Sequence, residues 1–399
     1  MSAAPVLYVI DSLGLSGKSK AMVDLIAGLD PDRYAAHVVY FKPEASVLEG
    51  RLRSLGVEPQ EVPCPDGLNA RIVMRLGKVV RRLRPAVIHC YNPRAMLYGG
   101  LTARLLGVPG AVGTLSAFAC TTPDDDFTYL PQELLSSSRR NRLRTRAACA
   151  LMGRVVAVAP KLGQRFCRYN GVNPSRMRVI PYGVDLERFD RVTPDAIAAF
   201  RARHEVPAGA VVVGSVARLI EVKDYDTQLR AFALAAARVP ELFMLIVGDG
   251  PLRASLEELA RTLGIAARVR FTGHSNEVPV ALRSLDIFVQ ASKFESYGVA
   301  LLEAKAAGAA VVATRVNEVP EILGEGTLGR MVPAGNPATM ADVLVELAAD
   351  QPGRAALGAR AAQEARTRHS LKGFVNSYEQ LYDELRGLVT GNLRAGLAY

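Results

Sequence analysis

Residues 286–308, DIFVQASKFESYGVALLEAKAAG, contain the pattern that indicates the fold of this chain. The apolar run DIFVQ has the length and composition of a buried β-strand, and the stretch VALLEAKAA after the loop has those of an α-helix. Glu295 stands in the loop, and Glu303 stands eight residues later on the expected helix, with Gly298 between them. The segment therefore predicts a strand, a loop and a helix, with one carboxylate on the loop and one on the helix.

The same alternation of strand-like and helix-like stretches runs through the whole chain. The first half contains the strand-like runs VLYVI, AAHVVYF, AVIHCY, GAVGTL, VVAVA and RVIPYG, and the second half contains VVVGSVARL, FMLIVGDG, VRFTGH, DIFVQAS and AAVVATR. Fully apolar strands separated by helices are typical of parallel sheets that are covered on both faces. A chain of 399 residues also exceeds the size at which one hydrophobic core keeps growing. We therefore predict two doubly wound, Rossmann-like α/β domains that face a central cleft.

The break between these domains is expected in VIPYGVDLERF, where Pro181 and Gly183 interrupt the pattern. We assign residues 1–183 to an N-terminal domain and residues 184–368 to a C-terminal domain. Ligands of such domains collect at the carboxyl ends of the strands, so the loops that follow the strands are the places to look for chemistry.

Composition excludes several classes of protein. No apolar run reaches the roughly 18 to 20 residues of a membrane span, and the N-terminus lacks the plan of a signal peptide, so a cytoplasmic location is expected. The five cysteines are odd in number and scattered, which suits reduced thiols. The five histidines are equally dispersed, and no metal site is predicted.

The net charge of +10 lies entirely in the first half of the chain. Residues 1–190 contain 26 Lys and Arg against 16 Asp and Glu, whereas residues 191–399 contain 23 of each. One interpretation is a solvated helix face and a loop. The other is a surface for anionic partners such as acidic lipid head groups or a phosphorylated acceptor. Nucleic acid is not expected, since no binding motif is present and only 6% of residues are aromatic. The charge is concentrated in SRRNRLRTR, which has five arginines, and in a helical stripe formed by Arg71, Arg75, Lys78 and Arg82.

The stretch VLYVIDSLGLSGKSKAMVDLI near the N-terminus resembles a phosphate-binding P-loop through Gly17-Lys18-Ser19. The spacing disagrees, because Ser12 occupies the place of the first glycine of that motif and Gly14 comes two residues too late. The run Asp124-Asp125-Asp126 contains an Asp-x-Asp pattern that could suggest a metal-dependent transferase. It lies in a polar stretch rather than after a strand, and we interpret it as a solvated loop or a helix cap.

Cations and glycines follow two of the predicted strands in the second half. Arg218 comes just after a strand, and Lys223 lies five residues later near the start of an expected helix. Two cations and free helix amides suit a diphosphate, although surface cations would give the same pattern. In IVGDGPLR, Gly248 and Gly250 either leave room for a ligand to approach the backbone or form a plain tight turn.

Taken together, these motifs resemble the family 4 retaining glycosyltransferases, which have the GT-B fold. The similar segments are SVARLIEVKD, IVGDGPLR, VRFTGH, FESYGVALLEAKAAG with its Glu-x7-Glu pattern, and VVATRVNEVPEIL. The N-terminal half is similar more loosely, through RPAVIHCYN, VIPYGVD and the opening turn. In that turn, Gly14-Leu15-Ser16-Gly17 resembles the family's glycine loop. The resemblance makes the first domain the acceptor side and the second the donor side, with residues 369–399 forming a helix that returns toward the N-terminal domain, plus a tail.

The resemblance also implies roles for individual residues. Arg218 and Lys223 would neutralise the nucleotide diphosphate, Glu295 would contact the transferred sugar, and Glu303 would hold the ribose hydroxyls. No metal or other cofactor is implied, because Arg, Lys and a helix dipole stabilise the leaving diphosphate. The nucleotide sugar, a UDP-sugar by preference, is a co-substrate. The acceptor stays unknown, with an anionic or lipid-linked acceptor and peripheral membrane contact expected from the basic N-terminal half. Further donor-binding positions would be Gly14, Gly17, Gly248, Ser296, Tyr297, Gly298 and Val299.

Two departures from the family pattern and two alternative functions stay open. Ser116 stands where the family usually has a histidine, and Asn317 and Glu318 replace two glycines before Val319-Pro320-Glu321. The donor sugar, nucleotide base and linkage therefore cannot be carried over from the resemblance. The alternatives are another GT-B enzyme, such as a sugar epimerase or a phosphorylase, and a non-catalytic protein that binds a sugar or an anion.

Overall fold

The computed structural model of the chain describes residues 3–14, 16–44, 47–64, 69–115, 139–295 and 297–387. The chain forms two compact units. The first contains the described residues up to Gly183 and from Leu371 onward, and the second contains Val184–Ser370.

The first unit is built on a seven-stranded parallel sheet with the strand order β3-β2-β1-β4-β5-β6-β7. The direction of winding reverses between β1 and β4, and a doubly wound sheet has a ligand crevice at such a reversal. Its elements are β1 (Ala4–Ile10), α1 (Gly17–Gly28), β2 (Tyr34–Tyr40), α2 (Val47–Ser54), β3 (Gln60–Glu61), α3 (Ala70–Leu83), β4 (Val87–Tyr91), α4 (Pro93–Leu105), β5 (Gly110–Thr114), α5 (Arg139–Ala150), β6 (Arg154–Ala157), α6 (Pro160–Asn170), β7 (Met177–Val179) and, after the second unit, α16 (Leu371–Leu385).

The second unit has a six-stranded parallel sheet with the strand order β10-β9-β8-β11-β12-β13. Here the winding reverses between β8 and β11. Its elements are α7 (Glu187–Asp190), α8 (Pro194–Arg203), β8 (Val211–Val216), α9 (Tyr225–Ala236), β9 (Leu242–Val247), α10 (Arg253–Thr262), β10 (Val269–Gly273), α11 (Val278–Arg283), β11 (Ile287–Gln290), α12 (Val299–Ala307), β12 (Ala310–Thr314), α13 (Val319–Ile322), β13 (Arg330–Val332), α14 (Pro337–Ala349) and α15 (Gln351–Arg368).

The prediction of two doubly wound α/β domains with parallel sheets is confirmed. The central strands are largely apolar because helices cover both of their faces, whereas the edge strand β3 is polar and exposed. All six residues of β9, for example, are buried.

Helix α16 completes the core of the first unit, far along the chain from the sheet that it covers. The Tyr382 hydroxyl lies 2.7 Å from Nδ1 of His89 and 3.1 Å from the Tyr8 hydroxyl. Nε2 of His89 lies 2.7 Å from Oγ1 of Thr114, which lies 3.0 Å from the Tyr378 hydroxyl. Complete burial lowers the pKa of His89 to about 3, so this imidazole is neutral at physiological pH.

A fully buried lysine ties helices of the second unit together. Lys305 of α12 is 0% exposed and donates to Glu364 of α15 at 2.5 Å and to the carbonyl oxygen of Ile322 at 2.9 Å. Burial lowers the pKa of Lys305. Burial opposes ionisation of Glu364 as well, but His369 and Lys305 hold the pKa of Glu364 down at about 2. A buried charge of this kind is tolerated only because it is paired and hydrogen-bonded.

The arginine run near residue 140 corrects one expectation. The sequence left open that SRRNRLRTR is a loop, but α5 begins at Arg139 and continues to Ala150. Arginine is a good helix former, and Ala148 and Cys149 bury one face of the helix. The expected helical stripe that contains Arg71 is present as α3, with Ile72, Leu76 and Val79 buried.

Candidate active site

The two loops at the winding reversal of the second unit meet at the Glu295 carboxylate. Glu295 follows β11 and is 7% exposed. Its Oε2 accepts hydrogen bonds from Lys223 Nζ at 2.5 Å and Gln290 Nε2 at 3.0 Å, with Ser292 Oγ at 3.4 Å. Its Oε1 accepts one from the Gly298 amide at 3.2 Å. A carboxylate that accepts hydrogen bonds from so many donors is fixed in position, so the structure brings Glu295 and Lys223 together as a rigid pair.

The loop after β8 holds the two predicted cations. Lys223 ends a short 3-10 turn, Glu221–Lys223, and the neighbouring Val222 carbonyl accepts from the Lys293 amide of the other loop at 2.9 Å. Arg218 is exposed, and its guanidinium has no hydrogen-bond or ion-pair partner among the described residues. The structure thus places one cation inside the carboxylate network and leaves the other at the surface of the same loop.

Helix α12 begins directly after the Glu295 loop. Gly298 is its N-cap residue with φ of 73°, and no side chain caps the first turn. The Val299 amide consequently lacks an acceptor within the described part of the chain, and the positive end of the helix dipole is open there. Glu303 lies on the same helix and is 9% exposed. Tyr297 is buried beside Gly298, whereas Ser296 lies outside the described residues.

The glycines after β9 have a structural explanation. A Cβ atom on Gly248, whose φ is 140°, would lie 2.0 Å from the carbonyl oxygen of Ala217. A Cβ on Gly250 would lie 2.5 Å from the carbonyl oxygen of Leu219. The space that these glycines provide is therefore filled by the backbone of the loop that carries Arg218, so they position this cation. Whether a ligand also reaches Gly248 stays a prediction.

Sequence reasoning missed two supports of Glu295. The amide of Glu295 donates to Asn317 Oδ1 at 3.2 Å, and Asn317 itself has φ of 43°, in the left-handed region. This asparagine is one of the departures from the family pattern, which gives it a defined task here. Gln290, the last residue of β11, orients Glu295 through its Nε2, while its buried Oε1 finds no hydrogen-bond partner in the described ranges. The position of Gln290 at the end of a predicted strand is the feature of the sequence that could have indicated this role.

The glycine loop of the first unit lies after β1. Gly17 is exposed and begins α1, and the Ser16 hydroxyl accepts from the Ser19 amide at 3.3 Å. Gly14 is buried, and a Cβ on it would come within 2.1 Å of the Glu44 carboxyl. Oε2 of Glu44 also accepts from the Ser12 hydroxyl at 2.7 Å. A protein carboxylate thus lies against the glycine loop, while Leu15 is outside the described residues.

The carboxyl ends of β1 and β4 form a second polar cluster, which sequence reasoning also missed. Asn92 is 6% exposed and has φ of 81° with ψ of 160°, a conformation found essentially in glycine. Asn92 Nδ2, Asp11 Oδ1 and the Tyr91 hydroxyl are buried. The Asp11 carboxyl lies close to the Asn92 side chain, and the Tyr91 hydroxyl has no hydrogen-bond partner among the described residues. Burial raises the pKa of Asp11, while Lys18 and Arg94 oppose that rise. Backbone strain and unsatisfied buried polar atoms at a winding reversal mark a ligand crevice.

Several other expectations concern metals, membrane spans and undescribed residues. In the described ranges, no three His, Cys, Asp or Glu side chains are grouped as a metal site requires. No helix within these ranges is long and apolar enough to cross a bilayer. Ser116 and Asp124-Asp125-Asp126 lie outside the described residues.

Comparison with known proteins bears on the family and the fold of the chain. Residues 15–188 match the family model "Glycosyltransferase Family 4", and residues 197–364 match "Glycosyl transferases group 1". The chain resembles the Anabaena HepE crystal structure in complex with UDP, with a TM-score of 0.82 and 19% identity over 96% of this chain and 100% of that one. The fold is thus that of the GT-B glycosyltransferases. With the two models matching all but a short stretch between residues 15 and 364, the chain belongs to glycosyltransferase family 4.

The curated relatives are similar to this chain over only about half of their own length. The lipopolysaccharide core biosynthesis glycosyltransferase LpsE of Rhizobium meliloti is 33% identical over 47% of this chain and 54% of that protein. A D-inositol 3-phosphate glycosyltransferase of Corynebacterium urealyticum is 32% identical over 53% of this chain and 52% of that protein. The chain therefore spans about half the length of these relatives.

Proposed function

We propose that the protein transfers a sugar from a nucleoside-diphosphate sugar, a UDP-sugar by preference, to an acceptor, with retention of the anomeric configuration and without a metal ion. The observation that carries the proposal is the meeting of Lys223, Glu295 and the open start of α12 at the winding reversal of the second unit. Each of these groups has a task in the departure of a nucleoside diphosphate.

The cations would bind the diphosphate. An ammonium group has three N–H donors, and Glu295 takes one from Lys223, so others stay available for phosphate oxygens. Arg218 lies on the same loop with its guanidinium unpaired among the described residues. The Val299 amide adds a donor at the positive end of α12. Together these groups would stabilise the negative charge that develops on the leaving diphosphate, which is the role a metal ion has in other transferases.

The carboxylates would bind the sugars. Both oxygens of Glu295 accept hydrogen bonds from the protein, and one of them accepts from an ammonium group, which makes the carboxylate a weaker nucleophile toward an anomeric carbon. We therefore assign Glu295 to orientation of the transferred sugar and to electrostatic stabilisation of an oxocarbenium-like transition state, not to covalent catalysis. Glu303 would accept from the ribose hydroxyls. UDP as the nucleotide is supported by the UDP in the crystal structure of Anabaena HepE.

The acceptor is proposed to enter the crevice at the carboxyl ends of β1 and β4. Asn92, Asp11 and Tyr91 offer buried polar atoms there, with the Lys18 ammonium close to the Asp11 carboxyl. Hydroxyl-rich and anionic acceptors both suit such a mixture of donors, acceptors and positive charge. The named relatives act in lipopolysaccharide core biosynthesis and on D-inositol 3-phosphate, which supports an anionic acceptor.

Donor binding and turnover test the proposal. Thermal shift against uridine, guanosine, adenosine and thymidine diphosphates and their sugars should identify one base, since a ligand of the folded state raises the melting temperature. Arg218→Ala should weaken binding of the diphosphate. Arg238→Ala is the control: Arg238 belongs to the same unit and forms an exposed ion pair with Asp342, and its loss should leave diphosphate binding unchanged. Glu303→Gln should weaken binding of UDP and UDP-sugar alike, and Glu295→Gln should mainly reduce turnover.

Product analysis separates the alternatives. NMR of the product should show the anomeric configuration of the donor, and activity should persist in EDTA. Epimerised sugar without an acceptor would identify an epimerase, and release of a sugar phosphate would identify a phosphorylase. Binding without any turnover of a donor and acceptor panel would reject an enzymatic role.

A further inference from the structure

Four neighbouring helices of the first unit contain no acidic residue. Helices α3, α4, α5 and α6 together have fifteen Lys and Arg and no Asp or Glu. They pack in series, α3 on α4, α4 on α5 and α5 on α6. We call the outer surface of these four helices the basic face.

The other helices of this unit do not share this composition. Helices α1, α2 and α16 together contain five Lys and Arg and five Asp and Glu, and α1 packs against both α2 and α16. Right-handed crossovers on either side of the winding reversal place the two groups on opposite faces of the sheet. The positive charge therefore belongs to one face rather than to the unit as a whole.

The basic face also exposes aliphatic side chains. Among the described residues seven large hydrophobic side chains are exposed, and four of them lie on α3, α4 and α5. Their exposed fractions are 63% for Met74, 36% for Leu101, 65% for Leu105 and 65% for Leu143. Cations interleaved with exposed aliphatic groups, without carboxylates, are the composition of a helix that lies in a membrane interface.

We propose that the basic face docks on the surface of an anionic lipid bilayer. The cations would attract acidic head groups, and Met74, Leu105 and Leu143 would enter the boundary between head groups and acyl chains. Single-stranded nucleic acid fits less well, because binding of its bases relies on exposed aromatic rings. The aromatic residues on these helices are Tyr98 and Phe166, which are buried, and Tyr169, which is partly buried and lies under the Arg142 guanidinium.

Docking is independent of the proposed catalysis, so its test uses the full chain and measures binding alone. The protein is sedimented with vesicles of phosphatidylcholine and with vesicles that also contain phosphatidylglycerol, at low and physiological ionic strength. We expect binding to the anionic vesicles only, weaker at higher salt because screening shortens the reach of surface charges.

Two sets of substitutions locate the contact. The charge variant replaces exposed cations whose side chains have no hydrogen bond or ion pair among the described residues. Arg75 and Arg82, which donate to the Pro63 carbonyl and to Gln60 Oε1, are therefore kept. Partitioning should fall by on the order of tenfold or more, since each cation near an anionic surface contributes. The charge variant is Arg71→Gln, Lys78→Gln, Arg81→Gln and Arg104→Gln. An apolar variant, Met74→Ser with Leu105→Ser, should lower partitioning at physiological salt without any change of charge.

A matched control removes the same net charge from exposed positions of the second unit. It combines Arg191→Gln, Arg203→Gln, Arg238→Gln and Arg360→Gln, and it should bind vesicles like the parent protein. Circular dichroism and melting temperature verify that every variant is folded. Protein that stays in the supernatant with anionic vesicles at low salt would overturn the proposal, as would an equal loss in the control. Binding of duplex DNA that requires the basic face, with no vesicle binding, would assign that face to nucleic acid.

Discussion

Lys223 Nζ lies 2.5 Å from Glu295 Oε2, although 72 positions separate the two residues along the chain. The pair joins the loop after β8 to the loop after β11. Because both groups are largely shielded from water, each depends on the other for compensation of its charge.

This dependence predicts strongly coupled effects on turnover. Lys223→Met and Glu295→Gln should each reduce kcat by on the order of a hundredfold or more. The decrease in kcat of the double variant should be much smaller than the product of the two single decreases. The reason is that the second substitution removes a group that the first has already displaced. Additive losses in a double-mutant cycle would mean that the two side chains act separately.

Gly248 and Gly250 pack against the loop that carries Arg218. A side chain added at one of these glycines should therefore lower donor affinity without touching the donor itself. Gly250→Ala should displace the Leu219 carbonyl, which lies 2.5 Å from the added Cβ, and weaken binding of the nucleotide diphosphate in calorimetry. Gly209→Ala is the matched control, since that glycine has nothing within 4 Å of its Cβ. The control should lower stability by about 1 kcal/mol through its positive φ and leave affinity intact.

Substitution of Asn92 should separate an effect on the acceptor from an effect on donor binding. Asn92→Gly removes the side chain while suiting the φ of 81°, so the protein should be at least as stable as the parent. Transfer should nevertheless fall by on the order of tenfold, with donor affinity unchanged, because a buried polar group for the acceptor is missing. Unchanged transfer kinetics would assign Asn92 to the fold alone.

Buried Lys305 predicts an asymmetric effect on stability. Glu364→Gln leaves a buried ammonium without its carboxylate and should reduce the free energy of unfolding by on the order of 3 kcal/mol. Lys305→Met removes the buried charge itself and should cost clearly less. Arg366→Gln on the same helix breaks an exposed pair with Asp190 and should cost below about 1 kcal/mol. Denaturant unfolding measures all three, and a larger loss for Lys305→Met than for Glu364→Gln would contradict the account.

His89 predicts how the first unit responds to acid. Its pKa falls from 6.5 to about 3 on folding, so below pH 6.5 the unfolded chain binds a proton that the folded chain does not. Stability should therefore decrease as the pH falls from 6.5 toward 3, by about 2 kcal/mol between pH 7 and pH 5 from this residue. His89→Gln should be less stable at pH 7 but should show a flatter dependence. Hydrogen exchange measures the stability of the first unit at each pH. If this stability depends on pH in His89→Gln as it does in the parent protein, His89 is not the cause of the acid sensitivity.

Much of the fold could be predicted from the sequence because it depends on local pattern. Apolar strands such as Leu242–Val247 and the helices between them repeat often enough to define two parallel sheets. The arginine run at α5 was ambiguous, since its charged residues hide the small buried face formed by Ala148 and Cys149.

The site was only partly predictable, for a physical reason. Glu295, Lys223 and Glu303 occur in a recognisable spacing, but their supports depend on contacts between distant segments. Asn317 reaches the Glu295 amide only after β12 has been placed beside β11. The strain at Asn92 is likewise a property of the assembled backbone, which residue type alone does not reveal.

Helix α16 gives the chain an unusual order of assembly on the ribosome. Tyr378 and Tyr382 supply hydroxyls to the core around His89, yet they are synthesised after the whole of Val184–Ser370. Among the described residues the second unit is one continuous segment, whereas the first unit joins two segments that are distant along the chain. The core of the first unit is therefore complete only once α16, synthesised after Val184–Ser370, has packed onto its sheet.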